Sequence, residues 1–209
     1  MKSGRPLPGE YGAHAADDIN LVAGDDAVAA LASQQSLVTD LFASVPDTMI
    51  RYAPDKWTLN EVLGHMIDDE RIFAYRALCI ARGDARPLES FDEKEYVAGA
   101  NFESRSLANL LEEYALVRRS TIALFDSLPA EAWQRRGMVA GYSATVRGLA
   151  FHIAGHELHH VGVVRGRYLG LAIPESHRRV LDEALAAQGL DAEDGTPWEE
   201  VRNELFPKR

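Results

Sequence analysis

Residues 57–80 read WTLNEVLGHMIDDERIFAYRALCI, and this stretch carries the clearest helix start in the chain. Thr58 is followed three residues later by Glu61, which is the capping-box pattern, and Trp57 before it can pack against the first turn. Apolar residues then recur at helical spacing. The predicted inner face carries Val62, His65, Asp69, Ile72, Arg76 and Cys79, with Met66, Phe73 and Ile80 beside it. Three polar residues on this face need an explanation, because burying them without partners is costly.

Three further segments show the same helical spacing. The first predicted helix covers about 25–42, the third covers about 107–128, and the fourth runs from Ser143 as its N-cap to about Leu169, with Gly170 as the C-cap. Residues 84–105 predict a long loop with one short helical turn, and residues 131–142 predict a connection. No segment shows strand alternation. We predict an all-α fold: a four-helix bundle with a long crossover between helices two and three, plus short extra C-terminal helices.

Length and composition fit one helical core with appendages, since the 209 residues are 46% hydrophobic and 26% charged. We divide the chain into an N-terminal arm (1–24), a bundle (25–172) and a C-terminal helical extension (173–209) packed on the bundle. The formal net charge of −10, without a block of Lys or Arg, argues against binding to nucleic acid or an anionic membrane. The single cysteine, Cys79, excludes an intramolecular disulfide. No signal peptide or membrane span is predicted, so we expect a cytoplasmic protein.

Residues 151–160 read FHIAGHELHH, so four of the seven histidines fall within nine residues. On a helix, His156 and His160 lie one turn apart and project from the same face. Apolar neighbours direct this pair inward, where ligation of a metal ion would offset the cost of burial. His65, on the inner face of another helix, is the third candidate ligand. The three histidines predict one divalent metal ion, with Zn²⁺ favoured and Ni, Fe or Mn as alternatives.

Asp69 lies one turn beyond His65 and has three open interpretations. It could be a fourth ligand, it could orient His65 from behind, or it could form a salt bridge with Arg76 or another arginine. The charged run at 68–71 is otherwise interpreted as a solvated face.

Residues 156–160 also match the H-E-x-x-H pattern of zinc peptidases, in which Glu157 would be the general base. That pattern requires a substrate-aligning strand and a downstream third ligand, and the sequence predicts neither. A peptidase is therefore the minor alternative. The roles of His152 and His159 stay open, with a non-ligand role favoured for both, and isolated His14 and His177 are interpreted as solvated or hydrogen-bonded.

Residues 51–65, RYAPDKWTLNEVLGH, followed by Asp69-Glu70-Arg71, resemble the first signature of the DinB/YfiT-like superfamily, and residues 152–160 resemble its second. The resemblance extends from about Ala27 to Tyr168. It implies a four-helix bundle with a long crossover, often dimeric, and a metal held by His65, His156 and His160. The family includes thiol-dependent transferases and isomerases that use bacillithiol, mycothiol or glutathione, and proteins described as metal-dependent hydrolases. The expectation of a homodimer rests on this resemblance.

The favoured function is a metal-dependent enzyme, either a thiol-dependent S-transferase or a hydrolase, in which the ion lowers the pKa of a bound thiol or water. The expected partner is a small-molecule substrate, and the resemblance favours a low-molecular-weight thiol. No catalytic residue is predicted beyond the metal ligands. The alternative is a non-catalytic ligand-binding or structural bundle with a staple metal, which a position closed by Asp69 or His152 would favour. Four residues are conceivable substrate contacts but are interpreted as helix-surface residues: Tyr75, Arg76, Arg118 and Arg119.

Overall fold

A computed structural model describes residues 4–45 and 47–171. The predicted C-terminal extension and His177 lie outside the described residues. The elements in chain order are α1 (Ala16–Leu21), α2 (Ala27–Ala43), α3 (Leu59–Ala81), α4 (Glu93–Ala100), α5 (Leu107–Asp126), β1 (Arg136–Val139), β2 (Tyr142–Thr145) and α6 (Val146–Val163). The last helix continues directly as a π-helical segment, Val164–Tyr168. Within these ranges, no helix has both the length and the apolarity needed to cross a membrane.

Four long helices, α2, α3, α5 and α6, form a bundle, so the predicted fold class is confirmed. Both α2 and α3 pack against α5 and against α6, and α2 and α3 therefore occupy opposite corners. The long connection between the second and third bundle helices contains α4. The short helix α1 packs on α6, which places the N-terminal segment along that helix.

The predicted capping box at the start of α3 is confirmed. The Thr58 side chain accepts a hydrogen bond from the Glu61 backbone N–H (3.2 Å), and the Glu61 carboxylate accepts one from the Thr58 backbone N–H (2.7 Å). The predicted inner face is also buried at its polar positions, His65, Asp69 and Arg76. The cap fixes where α3 begins, and thereby which of its residues face the bundle interior.

The start of α6 differs from the prediction. Ser143 is not the N-cap: it lies in β2, and Thr145 caps the helix by accepting a hydrogen bond from the Gly148 backbone N–H at 3.0 Å. Residues 131–145, expected to form a connection and the start of the helix, contain the antiparallel hairpin of β1 and β2. Its turn uses Ala140 (φ 48°) and Gly141 (φ 84°), both left-handed.

Residues 84–105, predicted as a loop with one short helical turn, contain the eight-residue helix α4. Asp92 caps this helix by accepting hydrogen bonds from the backbone N–H groups of Lys94 (2.8 Å) and Glu95 (3.1 Å). An aspartate followed three residues later by a glutamate is a helix-start signal that the sequence analysis did not use.

Two apolar clusters fill the bundle, and a polar layer separates them along every bundle helix. In α3, residues 59–67 belong to one cluster and residues 73–81 to the other. Along the bundle axis, buried polar side chains lie between the two clusters: Gln34 on α2, Asp69 and Glu70 on α3, Arg118 on α5 and Glu157 on α6. Because α3 and α6 face each other, this layer brings polar groups from both helices together at mid-bundle.

Candidate metal centre

Two helices supply the three predicted metal ligands. His65 lies on α3, about two turns after its cap, while His156 and His160 lie one turn apart on α6. His156 Nε2 lies 3.2 Å from His65 Nε2 and 3.0 Å from His160 Nε2. One ring nitrogen from each residue lies within 4.8 Å of the others. The fold thus brings together the three histidines that the sequence pattern selected.

The spacing of these nitrogens fits a shared metal ion. With metal–nitrogen bonds of about 2.0–2.1 Å, two ligand nitrogens lie about 3.3–3.4 Å apart in tetrahedral geometry and about 2.9 Å apart at a right angle. The observed separations of 3.0 and 3.2 Å fall between these values. Three imidazole lone pairs at such distances repel one another unless a cation or shared protons lie between them. The donor set therefore suits a borderline divalent ion.

Burial keeps the three imidazoles in the neutral form that binds metals. Burial and the neighbouring His159 lower the pKa of His65 to about 4. Burial and the mutual proximity of the histidines also hold the pKa values of His156 and His160 well below the ordinary value of 6.5. Because protonated imidazole cannot ligate a metal, these shifts favour ion binding at neutral pH.

Asp69 lies against the histidine cluster. Its Oδ1 is 3.5 Å from His65 Nδ1, and its Oδ2 is 3.4 Å from His156 Nε2. Burial and the nearby carboxylates of Glu93 and Asp68 raise the pKa of Asp69 to about 8. The Asp69 Oδ1 atom is buried without a hydrogen-bond partner among the described residues.

The predicted alternative of a salt bridge between Asp69 and Arg76 is not formed. Arg76 instead donates to the Glu89 carbonyl at 2.6 Å and lies over the rings of Phe73 and Phe91. Asp69 is thus left with the histidines as its neighbours, in a position either to orient His65 or to act as a fourth ligand.

The two remaining histidines of the helical cluster lie beside the N-terminal segment. His159 Nδ1 is 3.3 Å from Asp18 Oδ1, and His152 Nε2 is 3.8 Å from Asp18 Oδ2. His152 is buried and stacks on Phe73, with 4.7 Å between ring centroids. Both residues lie next to the three-histidine group and outside it. Asp18, which sequence reasoning missed, contacts both.

Gly155 permits this arrangement. A Cβ atom at Gly155 would lie 2.1 Å from the Asp18 carbonyl oxygen, so only glycine lets α1 approach α6 so closely. The residue directly before His156 thus seats the N-terminal segment against the site.

Glu157 faces away from the three histidines, into the polar layer of the bundle. Its carboxylate accepts hydrogen bonds from the Arg118 guanidinium (3.0 Å to Oε1) and the Tyr114 hydroxyl (2.7 Å to Oε2). Arg118 also binds the Glu70 carboxylate (2.8 Å) and the Leu31 carbonyl (2.9 Å). The general base that the peptidase alternative requires is therefore engaged elsewhere.

Two surface predictions are wrong in this layer. Arg118 is 1% exposed rather than a helix-surface residue, and Glu70 is 3% exposed rather than part of a solvated face. Each is buried because the other supplies the opposite charge, and sequence spacing within a single helix cannot show a partner on another helix.

A cleft of about 480 Å³ lies over the histidines. None of Tyr75, Arg76, Arg118 and Arg119 lines it. The lining consists of the three candidate ligands together with Asp18, Tyr52, Asp55, Lys56, Trp57, Val62, Glu93, Lys94, His159, Val163 and Tyr168. From the sequence, Trp57 was assigned to packing at the helix start and Val62 to the inner face, the role of His159 was left open, and the other cleft residues were given no role in the site. The volume suits a small molecule.

Comparison with known proteins agrees with this geometry. The family model of the DinB superfamily matches residues 30–164, which include all three histidines. Among solved structures, YfiT from Bacillus subtilis superposes with a TM-score of 0.63 at 15% sequence identity, over 81% of this chain and 96% of that one. YfiT is described as "a probable metal-dependent hydrolase with an unusual four-helix bundle topology". A search of curated proteins found no match. The family model spans more than half of the chain, and the chain therefore belongs to the DinB superfamily.

Proposed function

We propose that this protein is a metal-dependent enzyme, a hydrolase or a thiol-dependent transferase, that acts on a small molecule. One observation carries the proposal: three imidazole nitrogens from two helices converge beside a cleft of about 480 Å³. Three protein ligands next to an accessible cleft are typical of catalytic Zn²⁺ sites, whereas structural sites are closed by four. Zn²⁺ is the favoured ion because all three donors are neutral imidazoles, with Ni, Fe and Mn as alternatives.

Each side chain has a defined part in this proposal. His65, His156 and His160 hold the ion, and Asp69 orients the His65 ring through Nδ1. A bound divalent ion would lower the pKa of a coordinated water or thiol toward neutrality. The cleft positions the substrate beside it. The geometry supports water and a thiol equally as the group that the ion activates, and YfiT, with its description as a hydrolase, supports the former.

A structural metal site that only stabilises the bundle (a staple metal) is the second candidate function, and the position of Asp69 favours it. Its Oδ2 lies 3.4 Å from His156 Nε2, close enough for a small shift to make the carboxylate a fourth ligand. A site closed in this way would stabilise the bundle without chemistry.

The first experiment is metal content per chain by elemental mass spectrometry, after purification without a nickel column. Wild type is compared with His65→Ala, His156→Ala and His160→Ala, and the exposed His14→Ala serves as the matched control. We expect about one ion per chain in wild type and His14→Ala, with a loss of at least tenfold in the other three. A folded wild type that stays empty when Zn²⁺, Ni²⁺, Fe²⁺ or Mn²⁺ is supplied would contradict the proposal.

A second experiment separates the enzyme from the staple. Co²⁺ replaces the native ion, and its visible absorption is recorded with and without a small thiol. A new ligand-to-metal band indicates an open position. An unchanged spectrum in wild type, with a band that appears only in Asp69→Ala, indicates a position closed by Asp69 and favours the staple.

A further inference from the structure

One wall of the cleft is apolar and continuous, and the function proposed above gives it no role. Trp57, Val62 and Tyr168 belong to or pack against one apolar cluster, together with Tyr52 and Val163. The ring centroids of Tyr52 and Tyr168 lie 5.0 Å apart, nearly perpendicular. The remaining cleft residues outside the histidine cluster are charged or are His159. The cleft is therefore two-sided in chemistry, which is typical of sites that orient a ligand with an apolar and a polar end.

A break in helix geometry fixes this wall. After Val163 the helix widens into a π-turn, in which the Leu169 N–H bonds to the Val164 carbonyl at 3.1 Å. The Tyr168 hydroxyl donates to the Trp57 carbonyl at 2.5 Å. The π-turn thus ties the end of α6 to the segment before α3. Single π-turns recur at functional sites, where they re-aim side chains.

The apolar wall begins at the metal ligands. The Trp57 and His65 ring centroids lie only 4.9 Å apart, and Val163 follows His160 by three residues on α6. A molecule bound through one end at the histidines would therefore place atoms a few bonds away in contact with the Trp57 ring.

The charged residues that line the cleft indicate the charge of the ligand. The lining carries the carboxylates of Asp18, Asp55 and Glu93, and the ammonium groups of Lys56 and Lys94. A divalent ion held by neutral histidines turns this lining from net negative to net positive. An anionic ligand is then complementary, and the cation itself is the strongest point of attraction for its charged end.

We propose that the cleft takes a small monoanionic molecule whose donor atom faces the histidines and whose aromatic or branched apolar group packs on Trp57, Tyr52 and Tyr168. This inference rests on the metal site proposed above. It assigns the apolar wall a role in substrate specificity (the specificity wall), with Trp57 as the main contact of the ligand. Covering about 60 Å² of an aromatic ring corresponds to roughly a tenfold gain in affinity.

The test uses two hydroxamates that bind a metal through the same group. The Zn²⁺-loaded protein is titrated by calorimetry with acetohydroxamate and with benzohydroxamate. We expect benzohydroxamate to bind about tenfold more tightly to wild type. In Trp57→Ala the ratio of the benzohydroxamate affinity to the acetohydroxamate affinity should fall below about threefold. The matched control is Tyr75→Ala, an exposed aromatic on the outer face of α3, which should keep the wild-type ratio.

Several outcomes would overturn this specificity wall. Equal affinities of the two hydroxamates for wild type would do so, and so would an affinity ratio that Trp57→Ala leaves unchanged. In both cases, acetohydroxamate binding would still support the metal site. If circular dichroism shows that Trp57→Ala does not fold, Tyr52→Ala takes its place. An unchanged affinity ratio in that variant counts equally against the proposed apolar wall. A protein that holds no Zn²⁺ and binds neither probe instead refutes the proposed function.

Discussion

Two polar clusters are buried side by side in this bundle, and neighbouring residues of α6 belong to different ones. Glu157 joins Arg118, Glu70 and Tyr114 in a set in which opposite charges and hydrogen bonds match. His156 joins His65, His160 and Asp69 in a set that leaves polar atoms unmatched, since the buried Asp69 Oδ1 and His160 Nδ1 have no hydrogen-bond partner among the described residues. The first cluster is complete without a ligand, whereas the second contains buried polar atoms that have no partner among the described residues.

The two clusters therefore differ in whether all of their buried polar atoms have hydrogen-bond partners. Buried polar groups in folded proteins are almost always hydrogen-bonded, and exceptions call for an explanation. The Arg118 set meets that rule with side chains and the Leu31 carbonyl alone. The histidine set does not meet it among the described residues, because Asp69 Oδ1 and His160 Nδ1 lack partners there.

The largest expected effect comes from breaking the matched cluster. Arg118→Met removes the cation between Glu70 and Glu157 and leaves both carboxylates buried and unpaired. We expect a loss of about 3–5 kcal/mol in the free energy of unfolding, measured by urea denaturation. The neighbouring exposed Arg119→Met is the control and should change stability by less than about 0.5 kcal/mol. A cost for Arg118→Met as small as the control's would mean that the cluster is not the self-sufficient set described above.

A smaller effect concerns the histidine cluster in the presence of a chelator. The pKa of His65 is about 4 in the folded chain and about 6.5 in the unfolded one, so between these values the unfolded chain binds more protons. His65 alone should therefore lower the free energy of unfolding by about 2 kcal/mol at pH 5 relative to pH 8, whereas the raised pKa of Asp69 acts in the opposite direction. Urea denaturation at both pH values measures the loss.

His65→Leu supplies the control for this pH effect. The variant lacks the titrating group and should show a smaller loss between pH 8 and pH 5 than wild type. If both proteins lose the same stability, His65 is not held neutral by the fold.

The smallest expected effect comes from removing one hydrogen bond of the matched cluster while every charge keeps its partner. Tyr114→Phe removes one hydrogen bond to Glu157, which keeps its bonds to Arg118. We expect a loss of about 1–2 kcal/mol by the same denaturation assay. Tyr96→Phe, at a residue that is 49% exposed, should have almost no effect. A loss as large as that of Arg118→Met would show that the hydroxyl, rather than the guanidinium, holds the carboxylate in place.

Much of the fold and the inner site followed from local sequence patterns. The capping box at Thr58 set the start of α3, and the spacing of His156 and His160 put both on one face of α6. These features depend only on residues within a turn or two of each other. Local spacing is the part of the structure that a single sequence expresses directly.

The parts that could not be predicted depend on unusual turns or on partners far along the chain. The hairpin before α6 escaped notice because Ala140 occupies a left-handed turn position where Asn, Asp or Gly would normally signal a two-residue turn. Asp18 reaches His159 only because Gly155 lets α1 pack closely on α6. Arg118 and Glu70 pair across two helices, and nothing within either helix distinguishes them from surface charges.

The position of Glu157 beside His156 also controls the angular setting of α6. Successive residues on an α-helix are separated by about 100° around the axis. With the Glu157 carboxylate fastened to Arg118, α6 cannot roll about its own axis without breaking that pair, and the direction of the His156 and His160 side chains follows from it. Inserting or deleting one residue between Glu157 and His160 would therefore turn His160 by about 100° relative to Glu157, so that His160 could no longer face His65 while Glu157 stays bound to Arg118.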